Sequence, residues 1–216
     1  MTRVEDVRLA CELGADAIGL VFAARSPRRL DPDHALALRE AVPGSASAVA
    51  LLMDQTHDEV VAVVERVRPD LLQFHGGEDD ASCAAFGLPF LKALAMRDVA
   101  ASDVPALLAG YPSAAGFVFD GHAPGAMGGS GERFDWNRVV HQNIDRPWLL
   151  AGGLDARNVG QAIRAARPWG VDVSSGIESA PGIKDHAAMR AFADAVRMAD
   201  RPLSPTPLPR GERGLS

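Results

Sequence analysis

Cysteine is nearly absent: Cys11 and Cys83 are the only two in 216 residues. Each falls inside a helical pattern, so neither a disulfide framework nor a CxxC-type zinc site is available, and the chain fits a reducing, cytoplasmic setting. Positive charge is also in short supply, with 22 Lys and Arg against 28 Asp and Glu and a net charge of −6. No cluster of Lys and Arg makes the dense basic stripe that phosphate backbones require, so nucleic acid is not an expected partner. Long apolar runs are missing too. The longest, Ala15 to Ala24, carries Asp16 and is far too short to span a bilayer. No charged n-region and apolar h-region precede a cleavage site, so no membrane partner is expected either.

What is present is a repeat of short apolar runs and helical patterns, with 47% hydrophobic residues to bury. Seven runs read as strands: Ala15 to Phe22, Ala48 to Met53, Asp70 to Phe74, Pro89 to Ala95, Ala115 to Phe119, Pro147 to Leu150 and Gly170 to Val173. Between them lie helix starts. Thr2-Arg3-Val4-Glu5 and Thr56-His57-Asp58-Glu59 read as capping boxes, Asp31-Pro32 as N-cap and N1, and Asp155 opens a run to Ala166. A last helix spans Asp185 to Met198. Strand followed by helix, repeated, predicts a parallel sheet buried on both faces. The polar residues and glycines collect just after the strands, where a (β/α)8 barrel builds its active site. The rival doubly wound sheet would put its glycine-rich turn after the first strand, whereas here the glycines come late. The expected fold class is therefore an α/β (β/α)8 TIM barrel with seven of its strands in the chain, the deficit being at the front. The expected organisation is one barrel domain over residues 1–199 and a disordered, proline-rich tail over 200–216, which has too little apolar surface to offset its ordering entropy.

Three glycine-bearing segments are candidates for binding a phosphate: Gly128, Gly129, Ser130 and Gly131; Gly152 and Gly153; and Ser174, Ser175 and Gly176. Without a Cβ, backbone N–H groups can approach an anion, and barrels often bind phosphate with the loops after their last two strands. Any one segment could equally serve only a tight turn. Asp120 ends an apolar strand, a setting that can raise a carboxyl toward use as a general acid, although an acid there can also simply cap the next turn. Arg28, in "RSPRRL", offers paired donors to a carboxylate, and a solvated loop arginine is the alternative. His75 reads as a structural histidine, and Cys11 and Cys83 as small buried apolar residues.

"GADAIGLVFAARSPRRL", "LLQFHG", "GGSGERFDW", "LLAGGLDARNV" and "GVDVSSGIESAPGIKD" occur in this order. Together they resemble phosphoribosylanthranilate isomerase of tryptophan biosynthesis, across about residues 1 to 199. The resemblance implies an Amadori rearrangement of N-(5-phosphoribosyl)anthranilate to 1-(2-carboxyphenylamino)-1-deoxy-ribulose 5-phosphate, with no metal or cofactor. Asp120 then matches the general acid and Arg28 the contact to the anthranilate carboxylate. Gly128 to Gly131, Gly152-Gly153 and Ser174 to Gly176 match the phosphate cradle. The expected partner is the small phosphoribosyl substrate, and the chain is expected to be a monomer or homodimer.

The family's general base is a cysteine in a first-strand motif of the form Lys-hydrophobic-Cys-Gly-(Ile/Met)-Thr. Met1 and Thr2 resemble its last two residues, so the expectation is that the first strand and its cysteine precede Met1. A gap should then separate the strand at Ala15 to Phe22 from that at Gly170 to Val173. Cys11 cannot substitute, because its helix lies outside the barrel. Two alternatives stand beside this reading: another phosphosugar barrel enzyme, and a non-catalytic phosphate-binding remnant.

Overall fold

The structure is a computed structural model and describes residues 1–121, 136, 142 and 144–200. Its centre is a sheet of parallel strands whose spatial order equals their chain order. These are β1 (Ala17–Val21), β2 (Ser47–Leu52), β3 (Leu71–Phe74), β4 (Phe90–Ala95), β5 (Gly116–Asp120), β6 (Trp148–Leu150) and β7 (Gly170–Val171). All seven predicted strands form, each within a few residues of its predicted limits, and the sheet curls as a half-barrel. Among the described residues β1 and β7 do not pair, so the expected gap is there. The Met1 amino group lies along its β1 side and donates to the Gly19 carbonyl at 2.6 Å.

The crossover helices are α1 (Val4–Glu12), α2 (Pro32–Glu40), α3 (His57–Val67), α4 (Asp80–Ala84), α5 (Val104–Ala109), α6 (Val159–Ala166) and α7 (His186–Asp200). A short antiparallel hairpin of β8 (Glu178–Ala180) and β9 (Ile183–Lys184) lies between β7 and α7. Strand side chains alternate. Leu20, Leu52, Leu72, Phe74, Phe90, Phe117, Phe119 and Leu150 point outward to the helices and are essentially inaccessible to water. Ala93, Val118 and Ala151 form a separate inward cluster with Leu91 and Leu149. The continuous apolar runs of the sequence are thus strands covered on both faces.

Helix starts were legible where the cap is local. Asp31 accepts from the N–H of Asp33 and His34 ahead of α2, and Thr56 and Glu59 complete a reciprocal capping box ahead of α3. Two predicted starts are corrected. Thr2 does not cap α1; Arg3 holds the N-cap position without a side-chain bond, and the Thr2 hydroxyl instead donates to the Gly182 carbonyl. A contact to the hairpin, some 180 residues away in sequence, outcompetes the local cap. Asp155 caps a turn rather than α6: its Oδ1 accepts from the N–H of Arg157 at 2.8 Å and Asn158 at 3.2 Å, and the helix begins at Val159. Cys11 is half-buried rather than buried, whereas Cys83 is fully buried on α4. Gly128 to Gly131 and residues 201–216, hence nearly all of the expected tail, lie outside the described residues. Among the described residues no helix is long and apolar enough to cross a membrane.

The two ends of the described chain meet at Asp6, whose side chain is wholly buried. It accepts from Arg3 Nε and Nη2 at 2.9 and 2.8 Å, lies 2.9 Å from His186 Nε2, and takes the Lys184 N–H at 3.4 Å. Burial alone would raise this carboxyl, but the bonds from Arg3, His186 and Lys184 outweigh it and hold the pKa below the ordinary aspartate value. A depressed folded pKa contributes stability above the unfolded value of about 3.9 and loses it as pH falls through the folded value. Asp6→Asn is therefore expected to destabilise the chain by about 2 kcal/mol at pH 7. The difference from wild type should shrink below about pH 4, and urea midpoints measured from pH 3 to 8 check it.

Candidate active site

Strand register decides which side chains meet. Along β5, Phe117 and Phe119 face outward, so Gly116, Val118 and Asp120 face inward, and Asp120 is the last of them. The ladder continues one step beyond β6 and β7: the Ala151 N–H donates to the Phe119 carbonyl at 2.8 Å, and the Asp172 N–H to the Leu150 carbonyl at 2.9 Å. Gly170 pairs with the inward Leu149, so Asp172, two residues on, is inward as well. Asp120, Ala151 and Asp172 thus form one layer at the C-terminal end of three adjacent strands. A small alanine separates two carboxylates.

These residues line a small depression with Gly152, Gly153, Leu154, Val173, Ser174, Ser175 and Gly176. Its walls need glycine. Gly152 and Gly153 both have left-handed backbone, with φ of 87° and 62°. A Cβ on Gly152 would lie 2.3 Å from the Gly121 nitrogen and 2.8 Å from Asp120 Oδ1, and one on Gly176 would lie 1.9 Å from the Leu154 carbonyl oxygen. The two turns are therefore pressed together, main chain against main chain, beside the Asp120 carboxylate. A larger cleft of about 690 Å³ lies between the segments that follow β1 and β2 and the first half of α3, and its lining includes none of the predicted site residues.

Arg28 belongs to the same region through a chain of ion pairs. Its Nε and Nη2 donate to Glu178 Oε1 and Oε2 at 2.8 and 2.6 Å. Lys184 Nζ donates to Glu178 Oε1 at 2.8 Å and to the Ser174 carbonyl at 2.9 Å. All three side chains are nearly excluded from water. For Glu178, burial opposes ionisation, but Arg28 and Lys184 together keep its pKa below the ordinary glutamate value. For Lys184 desolvation wins: its pKa is lowered despite the pull of Glu178, with Arg28 adding repulsion. The Asp172 carboxyl is raised, first by burial and then by the neighbouring Asp120, with Lys184 acting in the opposite direction.

Of the predicted site residues, Asp120, Gly152, Gly153, Ser174, Ser175 and Gly176 therefore surround one depression, and Arg28 reaches it through Glu178 and Lys184. Gly128, Gly129, Ser130 and Gly131 lie outside the described residues. His75 directly follows β3, its Nε2 2.5 Å from Gln73 Nε2. The cysteines are elsewhere. Burial raises the Cys11 thiol, and pushes that of Cys83 up to about 12, so neither is poised to be a thiolate. Sequence reasoning missed three charged residues. Asp172 follows β7 as Asp120 closes β5, but the sequence offers no such signal, because Asp172 falls inside the predicted run Gly170 to Val173. Glu178 and Lys184 sit on the β8–β9 hairpin, whose pattern of "ESAPGIK" gives no apolar alternation from which to place them.

Residues 1–195 match the family model for N-(5'-phosphoribosyl)anthranilate (PRA) isomerase. The chain is 54% identical over 204 residues to N-(5'-phosphoribosyl)anthranilate isomerase of Xanthomonas euvesicatoria pv. vesicatoria, covering 93% of this chain and 91% of that protein. Its structure is similar to that of the phosphoribosyl anthranilate isomerase from Thermotoga maritima, with a TM-score of 0.81 and 30% identity over 92% of this chain and 96% of the other. It is also similar to a phosphoribosyl anthranilate isomerase in complex with reduced 1-(o-carboxyphenylamino)-1-deoxyribulose 5-phosphate, at a TM-score of 0.79 and 28% identity over 92% and 95%. With a family match over residues 1–195 and 54% identity to a relative over 93% of the chain, the chain belongs to the N-(5'-phosphoribosyl)anthranilate isomerase family.

Proposed function

We propose that this chain carries the site for the Amadori rearrangement of N-(5-phosphoribosyl)anthranilate to 1-(2-carboxyphenylamino)-1-deoxy-ribulose 5-phosphate, a step of tryptophan biosynthesis. The observation that carries the reading is the convergence of the Asp120 carboxyl with two glycine turns at the C-terminal end of the sheet, with Arg28 linked to them. The two ends of this substrate are both anionic, a phosphate and an aromatic carboxylate. Backbone N–H groups at Gly152-Gly153 and Ser174 to Gly176, together with the Gly128 to Gly131 segment, take the phosphate. Arg28 takes the carboxylate.

Between those ends lies the ribose. Asp120 protonates the ring oxygen as the C1–O bond breaks, and the anilino nitrogen lone pair forms the C1=N iminium. Loss of the C2 proton to a base gives the enolamine, and reprotonation at C1 with loss of the hydroxyl proton leaves the C2 ketone. Atoms balance, so substrate and product are isomers, and no redox partner is needed. The family's base, by resemblance, is the cysteine of the first-strand motif, and Cys11 and Cys83 stand instead on the helices α1 and α4. Asp172, whose carboxyl is raised, keeps a proton close to Asp120 more readily than an exposed aspartate would.

Turnover of phosphoribosylanthranilate tests the reading, measured on the chain as given and on a form bearing the Lys-hydrophobic-Cys-Gly-(Ile/Met) motif ahead of Thr2. The motif-bearing form is expected to turn over, and its absence of activity would sink the assignment. Full activity of the chain as given would show that another residue is the base. In the active form, Asp120→Asn should lower kcat about 10²- to 10⁴-fold with a much smaller change in KM. Gly176→Ala forces its Cβ against the Leu154 carbonyl. It should weaken binding of the reduced product about tenfold or more by calorimetry, with unaltered binding counting against the phosphate role.

A further inference from the structure

The mechanism above uses Arg28 but leaves its buried partner without a part. An arginine can offer a carboxylate two paired edges, one formed by Nε and a proton of Nη2, the other by Nη1 with the remaining proton of Nη2. Here the first edge is fully taken by Glu178, at 2.8 and 2.6 Å. Among the described residues Nη1 makes no hydrogen bond, and Arg28 keeps 9% of its surface exposed. One paired edge thus remains, and its direction is set by Glu178. The same glutamate is shared by Lys184, whose ammonium also holds the Ser174 carbonyl. Arg28 and Lys184 therefore share the one carboxylate of Glu178 in a nearly dry site, and Arg28 keeps an edge to offer a further carboxylate.

We propose that Glu178 is a positioning residue that presents the outer edge of Arg28 to the substrate's aromatic carboxylate and, through Lys184, ties that arginine to the Ser174 turn of the phosphate site. This rests on the reading that Arg28 takes that carboxylate. Arg28 stands on the loop between β1 and α2, where an unpaired guanidinium would sample several directions. The bidentate glutamate removes that freedom before the ligand arrives, so less ordering entropy is lost on binding. The hydrogen bonds running Arg28, Glu178, Lys184, Ser174 also fix the distance between the two anion sites, which is a selection for ligands of one length.

A simpler role makes the opposite prediction. If Glu178 were only an internal counterion competing for Arg28, removing its charge would free the arginine and tighten a carboxylate ligand. The test is calorimetric binding of two probes to the full chain: reduced 1-(o-carboxyphenylamino)-1-deoxyribulose 5-phosphate, and the same molecule lacking the ring carboxylate. Wild type should prefer the carboxylated probe. Glu178→Gln should lower that preference about tenfold, with the affinity for the second probe changed less than about twofold, which also shows that the variant is folded. An unchanged or increased preference overturns the proposal. Should Glu178→Gln not fold, Glu178→Asp keeps the charge but withdraws it by one methylene, and it must reduce the preference in the same direction or the proposal fails. Loss of preference already in the wild type, or no binding of either probe, would instead overturn the reading of Arg28 and the phosphate turns, and this inference with it.

Discussion

Everything at the site depends on one constraint, the in-phase alternation of inward and outward side chains across parallel strands in continuous register. The outward set, from Leu20 through Phe119 to Leu150, is sealed against the helices. Each fully buried aliphatic or aromatic side chain of that set contributes about 1.5 to 3 kcal/mol relative to exposure. A slip by one residue would turn these side chains inward and cast Val118, Ala151 and Asp120 out of the barrel. Packing on the outer face therefore holds the chemistry on the inner one. Asp120 and Asp172 share a layer because Phe119 and Leu150 are pinned against helices, not because anything draws the two carboxylates together.

Polar contacts at the rim build on that frame. Lys92, buried on β4, points its ammonium to the Gly76 carbonyl at 2.7 Å and to Glu78 at 2.8 Å, and Glu78 in turn takes the Asp54 N–H at 2.8 Å. The loops after β2 and β3 are thereby tied to each other and to β4, as Glu178 ties the loop after β1 to the turn after β7. Buried ion pairs of this kind add little net stability over an apolar replacement, but they restrict the chain to one arrangement of its loops. A catalytic rim needs that restriction more than it needs extra stability.

What could be read in the sequence followed the range of the interactions. Strands and most helix starts depend on neighbours within a few residues, so all seven strands and the caps at Asp31 and Thr56 were legible. The position of Asp120 and of the turns at Gly152-Gly153 and Ser174 to Gly176, though not their roles, was legible because a parallel sheet sends every strand's C-terminal end to the same side. Thr2 misled, since its hydroxyl is claimed by Gly182 from the far end of the chain. Asp155 misled because an Asx turn and a helix cap use the same first bonds. Glu178 and Lys184 were silent, for their meaning lies in Arg28 and Ser174, and spacing along the chain does not encode a partner 150 residues away.

The most direct measurement is a crystal structure of the chain with reduced 1-(o-carboxyphenylamino)-1-deoxyribulose 5-phosphate. The account predicts phosphate oxygens at hydrogen-bond distance, about 2.7 to 3.2 Å, from N–H groups of the Gly152-Gly153 and Ser174 to Gly176 turns. It predicts the ring carboxylate on the Nη1–Nη2 edge of Arg28, with Asp120 facing the sugar oxygen that closes the ring. A phosphate seated in the larger cleft beside the segments that follow β1 and β2, or a carboxylate that displaces Glu178 from Arg28, would contradict it.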